Sequence, residues 1–136
     1  MEVIPVRKIG EPSVNVIATD KAPAAIGPYS QGLDLGNLMF CSGQIPVDPR
    51  TGEIPETIEA QTTLCMENVK ALLAAAGLTT ANIVKTTVFL SDMADFAAMN
   101  EIYASYLQQP YPARSCVQVA AIPKGAKVEV ECIAAR

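Results

Sequence analysis

The stretch PETIEAQTTLCMENVKALLAAAG, residues 55–77, followed closely by IVKTTVFL at 83–90, decides how this chain folds. In the first segment Ile58, Thr62, Cys65, Val69, Leu72, Leu73 and Ala76 recur at three- and four-residue steps, which draws one apolar stripe along a helix. Pro55 and Glu56 suit the start of that helix, and Gly77 suits its C′ position. Glu67 and Lys70, three residues apart on the wet side, can pair. The second segment is rich in β-branched residues and reads as a buried strand. A striped helix beside a buried strand calls for a sheet with helices laid over one face.

Downstream, Ser91 or Asp92 can cap a second helix whose inner side carries Phe96, Met99, Tyr103 and Tyr106. Pro110 and Pro112 end that helix. Ser115 to Ile122 and Lys127 to Ala134 read as two further strands, joined by Pro-Lys-Gly-Ala. Upstream, Pro46 to Pro55 is a turn-rich connection. Leu33 to Leu35 and Leu38 to Ser42 flank Gly36-Asn37, a hairpin signal. Lys21 to Ser30, with Pro23, Gly27 and Pro28, is a structured loop. Val14 to Thr19 is a candidate first strand, and residues 1 to 13 form an N-terminal arm. The expected architecture is one α+β domain spanning 1–136, the arm preceding a folded part at 14–136. Its core is a mixed six-stranded sheet with two helices packed on one face.

The 136 residues suit a single domain with a real core. Half of them are hydrophobic, yet no apolar run approaches the ~20 residues that span a bilayer. The surplus apolar surface points to contacts between copies. Ten basic against 14 acidic residues give a net charge of −4, which argues against an electrostatically driven nucleic-acid surface. Histidine is absent, which removes Ser-His-Asp and Cys-His mechanisms and most catalytic zinc sites. Cys41, Cys65, Cys116 and Cys132 form no CxxC pair, and each sits in an apolar context. Buried free thiols in a reducing compartment follow. The first residues carry an early acid and a proline and no apolar segment, so the expected location is the cytoplasm.

Arg114, in Pro-Ala-Arg-Ser-Cys at 112–116, stands at the mouth of an apolar strand. A guanidinium is always charged and offers a planar fork that matches a carboxylate. It suggests a receptor for a small carboxylic acid; an arginine that caps a loop or pairs with an acidic neighbour is the alternative.

Several motifs together resemble the Rid (YjgF) family, most closely its RidA subfamily of reactive intermediate deaminases. They are Ala22-Pro-Ala-Ala-Ile-Gly-Pro-Tyr-Ser-Gln31, Cys41-Ser-Gly-Gln-Ile-Pro46, Ile83-Val-Lys-Thr-Thr-Val-Phe89, Pro112-Ala-Arg-Ser-Cys116 and Val128-Glu-Val-Glu-Cys132. The resemblance runs from about residue 18 to 135. It implies a chorismate-mutase-like α+β fold and a homotrimer with clefts between subunits. The implied activity is hydrolysis of 2-imino and 2-enamino acids, such as 2-aminoacrylate and 2-aminocrotonate, to 2-oxo acids and ammonia. It uses no cofactor and no metal. By the same resemblance Arg114 is the carboxylate-binding arginine, and Tyr29, Ser42, Gly43, Asn100, Cys116 and Glu129 line the cleft. Two departures stand out: the extra N-terminal arm, and a segment between Tyr103 and Arg114 that is a few residues short.

Imine hydrolysis needs a held carboxylate, a placed water and one shuttled proton. Without histidine, Glu129 is the candidate shuttle, since a partly desolvated carboxylate has a raised pKa. A plain wet sheet face shared with Glu131 is the alternative. Tyr29 can close the pocket or be a core aromatic. Ser42 and Gly43 offer a hydroxyl and an amide, or form an ordinary strand-end turn. Cys116 lacks a base, so its backbone is the better candidate for a polar contact. Asn100 can equally serve its own helix. The four-residue connection makes the last two strands antiparallel, so Arg114 and Glu129 start at opposite ends, roughly 20 Å apart. One chain then cannot bring both to one substrate, and they must meet across a subunit boundary. The competing readings are a non-catalytic binding or sensor protein for small 2-oxo acids and an RNA-cleaving translation inhibitor. A chaperone role has no residue-level signature.

Overall fold

The structure, a computed structural model, describes residues 14–136. The arm at 1–13 lies outside the described residues. Six strands and two helices follow in the order β1 (Asn15–Ile17), β2 (Gly32–Asp34), β3 (Leu38–Gln44), α1 (Ile58–Ala75), β4 (Ile83–Leu90), α2 (Phe96–Ser105), β5 (Ala113–Gln118) and β6 (Val128–Ala135). The strands form one mixed sheet in the order β1-β2-β3-β6-β4-β5.

The ends of α1 form as its sequence dictates. The Thr57 hydroxyl accepts from Ala60 N at 3.1 Å, and Gly77 turns the chain with φ +74°. The Leu78 amide then closes on Leu73 O at 2.9 Å, satisfying carbonyls that a helix end leaves open. Cys65, Met66, Val69, Leu72 and Leu73 are wholly buried against β3, β6 and α2. The Glu67–Lys70 pair forms on the wet side at 3.7 Å. Before α2, Asp92 caps a short 3₁₀ turn at Met93–Asp95, so the α-helix proper starts only at Phe96.

The strand arrangement corrects one expectation. β5 and β6 run antiparallel, as expected, but are not neighbours: β4 lies between them, parallel to β5 and antiparallel to β6. The cause is α2, a crossover helix that returns the chain to the same end of the sheet, as a parallel pair requires. β5 also ends at Gln118 rather than Ile122. Among the described residues its only strand partner is β4, which stops at Leu90, level with Gln118. A strand with nothing beside it leaves its backbone groups unpaired.

Alternation sorts the sheet into two faces. Thr86, Val88, Leu90, Val128, Val130, Cys132 and Ala134 are buried beneath the helices. Phe89, Glu129 and Glu131 lie on the opposite face, which no helix or strand among the described residues covers. Cys41, Cys65 and Cys132 are buried free thiols, whereas Cys116 is partly exposed. Among the described residues no helix is long and apolar enough to cross a membrane.

Candidate active site

Arg114 sits second in β5, level with Thr86 of β4 and therefore on the helix-covered face. α2 presents three residues to it at four- and three-residue spacing. Asn100 Oδ1 accepts from Arg114 Nη1. The guanidinium carbon lies 5.5 Å from the centre of the Phe96 ring and 5.0 Å from that of Tyr103. Among the described residues no carboxylate pairs with Arg114. The structural ion pair is thus ruled out for residues 14–136, and the remaining N–H groups of the fork are free to take a carboxylate. Asn100 does not merely serve its own helix; it holds the arginine. Cys116 follows two residues on along the same face. Burial pushes its thiol up, only partly offset by the Arg114 charge, so it is not poised as a thiolate.

The second group of candidates gathers around Glu129. β3 and β6 pair in register at Cys41–Cys132 and again at Gln44–Val130, so β3 carries one extra residue at Ser42-Gly43. That β-bulge bends the strand beside Glu129. It is braced on both sides. Ser42 Oγ donates to Ser30 O at 2.6 Å, Ser42 N to Gln31 O at 2.9 Å, and Gln44 Nε2 to Ser42 O at 3.0 Å. The Ser42 hydroxyl proton is therefore spent on the loop, leaving its lone pairs for a ligand. Gly43 is required by closeness: a Cβ there would stand 2.5 Å from Glu129 Oε1. Burial, with the neighbouring Glu131 carboxylate second, raises the Glu129 pKa above the ordinary value. A cleft of about 460 Å³ opens here, lined by Tyr29, Gly43, Gln44, Lys124 and Glu129 among others. Tyr29 is half exposed at its rim, where its hydroxyl accepts from Ile26 N at 3.3 Å; it is not a core aromatic.

The predicted site residues thus form two groups: Asn100, Arg114 and Cys116 in one, Tyr29, Ser42, Gly43 and Glu129 in the other. Arg114 is level with Thr86, and Glu129 with Phe89, three residues along and two strands across. At ordinary strand spacings their Cα atoms are about 14 Å apart, nearer than the distance expected from adjacent strands. Their side chains, however, leave opposite faces of the sheet. That separates them more decisively than distance does.

The same arrangement of elements is found in known proteins. The profile of the family described as Endoribonuclease L-PSP matches residues 19–136. The 2-iminobutanoate/2-iminopropanoate deaminase of Escherichia coli K12 is 54% identical over 123 residues, covering 88% of this chain and 96% of that protein. The chain belongs to the Rid (YjgF) family. The crystal structure of E. coli TdcF with bound serine superposes with a TM-score of 0.88 at 54% identity, covering 90% of this chain and 98% of that one. The E. coli YjgF gene product gives 0.86 at 53% identity, with 90% and 98% covered.

For this Rid-family chain, sequence reasoning missed the residues that position others. Gln31 is buried and staples the loop before β2. Its Nε2 donates to Thr19 O at 3.0 Å and Pro23 O at 2.8 Å, while its Oε1 accepts from Thr19 N at 2.8 Å. Asn68 of α1 does the same for the loop after β3, donating to Ile45 O and Val47 O at 3.1 Å each. A buried amide inside an otherwise apolar helical stripe was the available signal for Asn68. Nothing local in the sequence marks the bulge.

Proposed function

We propose that this chain hydrolyses 2-imino and 2-enamino acids, such as 2-aminoacrylate and 2-aminocrotonate, to 2-oxo acids and ammonia. Each active site joins Arg114 of one subunit to Glu129 of the partner subunit in a homotrimer. The observation that carries this reading is the pair of half-sites. One sheet face holds a restrained arginine that has no carboxylate partner among the described residues. The other holds a carboxylate of raised pKa beside a cleft. The open sheet face that carries Glu129, with Phe40 and Val117 exposed, is the surface on which a second copy would pack.

The chemistry follows from those groups. The fork of Arg114 grips the substrate carboxylate. The Glu129 carboxylate takes a proton from water as the water oxygen bonds to C2 of the protonated imine, and the C=N electron pair moves onto nitrogen to leave a neutral amine. The carboxyl returns that proton to nitrogen, then takes the C2 hydroxyl proton as C=O forms and the C–N bond breaks, and passes it to the departing ammonia. Ammonia and the 2-oxo acid leave. A carboxylate of raised pKa is a stronger base than an ordinary one, so it takes the proton from water more readily and holds it until the nitrogen accepts it. No step calls for a cofactor or a metal. The reaction belongs in the cytoplasm, beside the pyridoxal-phosphate-dependent dehydratases that release such intermediates.

A binding-only reading, a sensor for small amino or oxo acids, draws support from the serine held in the TdcF structure. RNA cleavage, which the family description names, fits poorly with a net charge of −4 and no histidine. One experiment separates enzyme from sensor. A serine dehydratase generates 2-aminoacrylate, and pyruvate release is followed with and without this protein. Acceleration by wild type and its loss in Arg114→Ala support the enzyme. No acceleration, or equal acceleration by both, overturns it.

A further inference from the structure

We infer that Phe96 and Tyr103 are positioning residues for the deamination: their rings form a cradle that holds the Arg114 guanidinium in its carboxylate-gripping orientation. The inference rests on the proposed role of Arg114 and adds to it. A guanidinium is planar and weakly hydrated, so it stacks on aromatic faces while its edge keeps hydrogen-bonding. Both rings lie within the ~6 Å at which such stacking is effective. Asn100, between them on the same stripe of α2, takes one N–H. The three contacts restrain a side chain that otherwise loses considerable rotamer freedom on binding a ligand.

The Tyr103 ring is itself fixed from the strand beneath. Its hydroxyl lies 2.7 Å from Thr86 Oγ1, and Thr86 is wholly buried. Thr86 is also the residue opposite Arg114 in the β4–β5 ladder. A closed circuit results: Arg114 backbone, Thr86, Tyr103 ring, Arg114 guanidinium. The phenol of Tyr103 is raised, chiefly by burial, so it stays protonated and keeps that bond. With only 6% of its surface exposed, Tyr103 is placed to act through Arg114 rather than on the substrate.

The test uses the full chain and 2-oxobutanoate, a stable product-like carboxylate, with affinity read by calorimetry and KM and kcat read in the dehydratase-coupled assay. Tyr103→Leu removes the ring and is expected to weaken Kd and raise KM about tenfold, with kcat changed less than threefold. Tyr103→Phe keeps the ring and is expected to hold KM within about threefold while lowering Tm, because Thr86 loses its partner. Phe96→Leu, at a partly exposed position that tolerates change, is expected to raise KM about threefold to fivefold if Tyr103→Leu fails to fold. Arg114→Ala is the control. If it binds 2-oxobutanoate like wild type, the proposed site itself is wrong. If Arg114→Ala loses binding while the folded ring variants bind like wild type, the cradle is wrong.

Discussion

Gly43→Ala isolates the Glu129 half-site with a single methyl group. The added Cβ would lie 2.5 Å from Glu129 Oε1, 2.9 Å from Cδ and 3.2 Å from Cγ. Ordinary contacts begin near ~3.4 Å, so the carboxylate must retreat by about 1 Å. Gly43 does not use the left-handed region, so alanine fits its backbone without strain. The obstructing atoms are the end of a flexible side chain, which swings away cheaply. Losing a glycine can even add ~0.4–1 kcal/mol of stability through the unfolded chain. Activity is another matter, because a misplacement of about 1 Å at a reacting group costs on the order of 100-fold. The expected variant melts within a few degrees of wild type and keeps its oligomeric state. Its kcat for 2-aminoacrylate hydrolysis falls about 100-fold. Tm by calorimetry and pyruvate release by coupled assay read the two sides separately. A folded Gly43→Ala protein with kcat within threefold of wild type would refute the placement of Glu129 in the chemistry.

Other substitutions address the remaining parts. Arg114→Lys keeps the charge but loses the fork, so KM is expected to rise at least tenfold in the same assay. Glu129→Gln is expected to lower kcat by at least 100-fold and to abolish the acidic limb of the pH–rate profile. The same change should raise Tm at neutral pH. A carboxyl whose folded pKa is raised stabilises the fold below its ordinary pKa, and loses that contribution as pH rises through the folded value. A wild type and Glu129→Gln pair with equal Tm at pH 7 and a growing wild-type deficit at pH 4 would contradict this. Leu72→Ala empties a fully buried position under the sheet and should cost ~2–5 kcal/mol in urea unfolding, with kcat unchanged in the folded fraction.

Elements that depend on local pattern were legible in the sequence. The α1 stripe, its Gly77 end, the β4 run and the Gly36 turn are encoded by neighbours within a few residues; the start, read at Pro55-Glu56, falls instead on the Thr57 cap. Strand order was not. Whether β6 inserts between β3 and β4 depends on how two crossover helices pack, which no single segment records. The extent of β5 failed for the same reason, since a strand ends where its partner ends. At the candidate site, the resemblance rather than residue type alone singled out Arg114 and Glu129, and their environments came from contacts distant in sequence. Phe96 and Tyr103 read as core aromatics facing inward, and they are; what they face is the guanidinium. Gly43 read as an amide donor, while its structural requirement is the Glu129 carboxylate of β6, 86 positions along the chain.

The central claim is that Arg114 and Glu129 act together only across a subunit boundary, and mixed assemblies of two crippled chains test it most directly. Arg114→Ala and Glu129→Gln chains carrying different affinity tags are co-expressed, and assemblies holding both tags are isolated. In a cyclic trimer, any mixture of the two chains contains one boundary at which the intact arginine meets the intact carboxylate. Mixed trimers are therefore expected to show about one third of wild-type activity, while each variant alone is inactive. Mixed trimers as inactive as the separate variants would contradict the shared site.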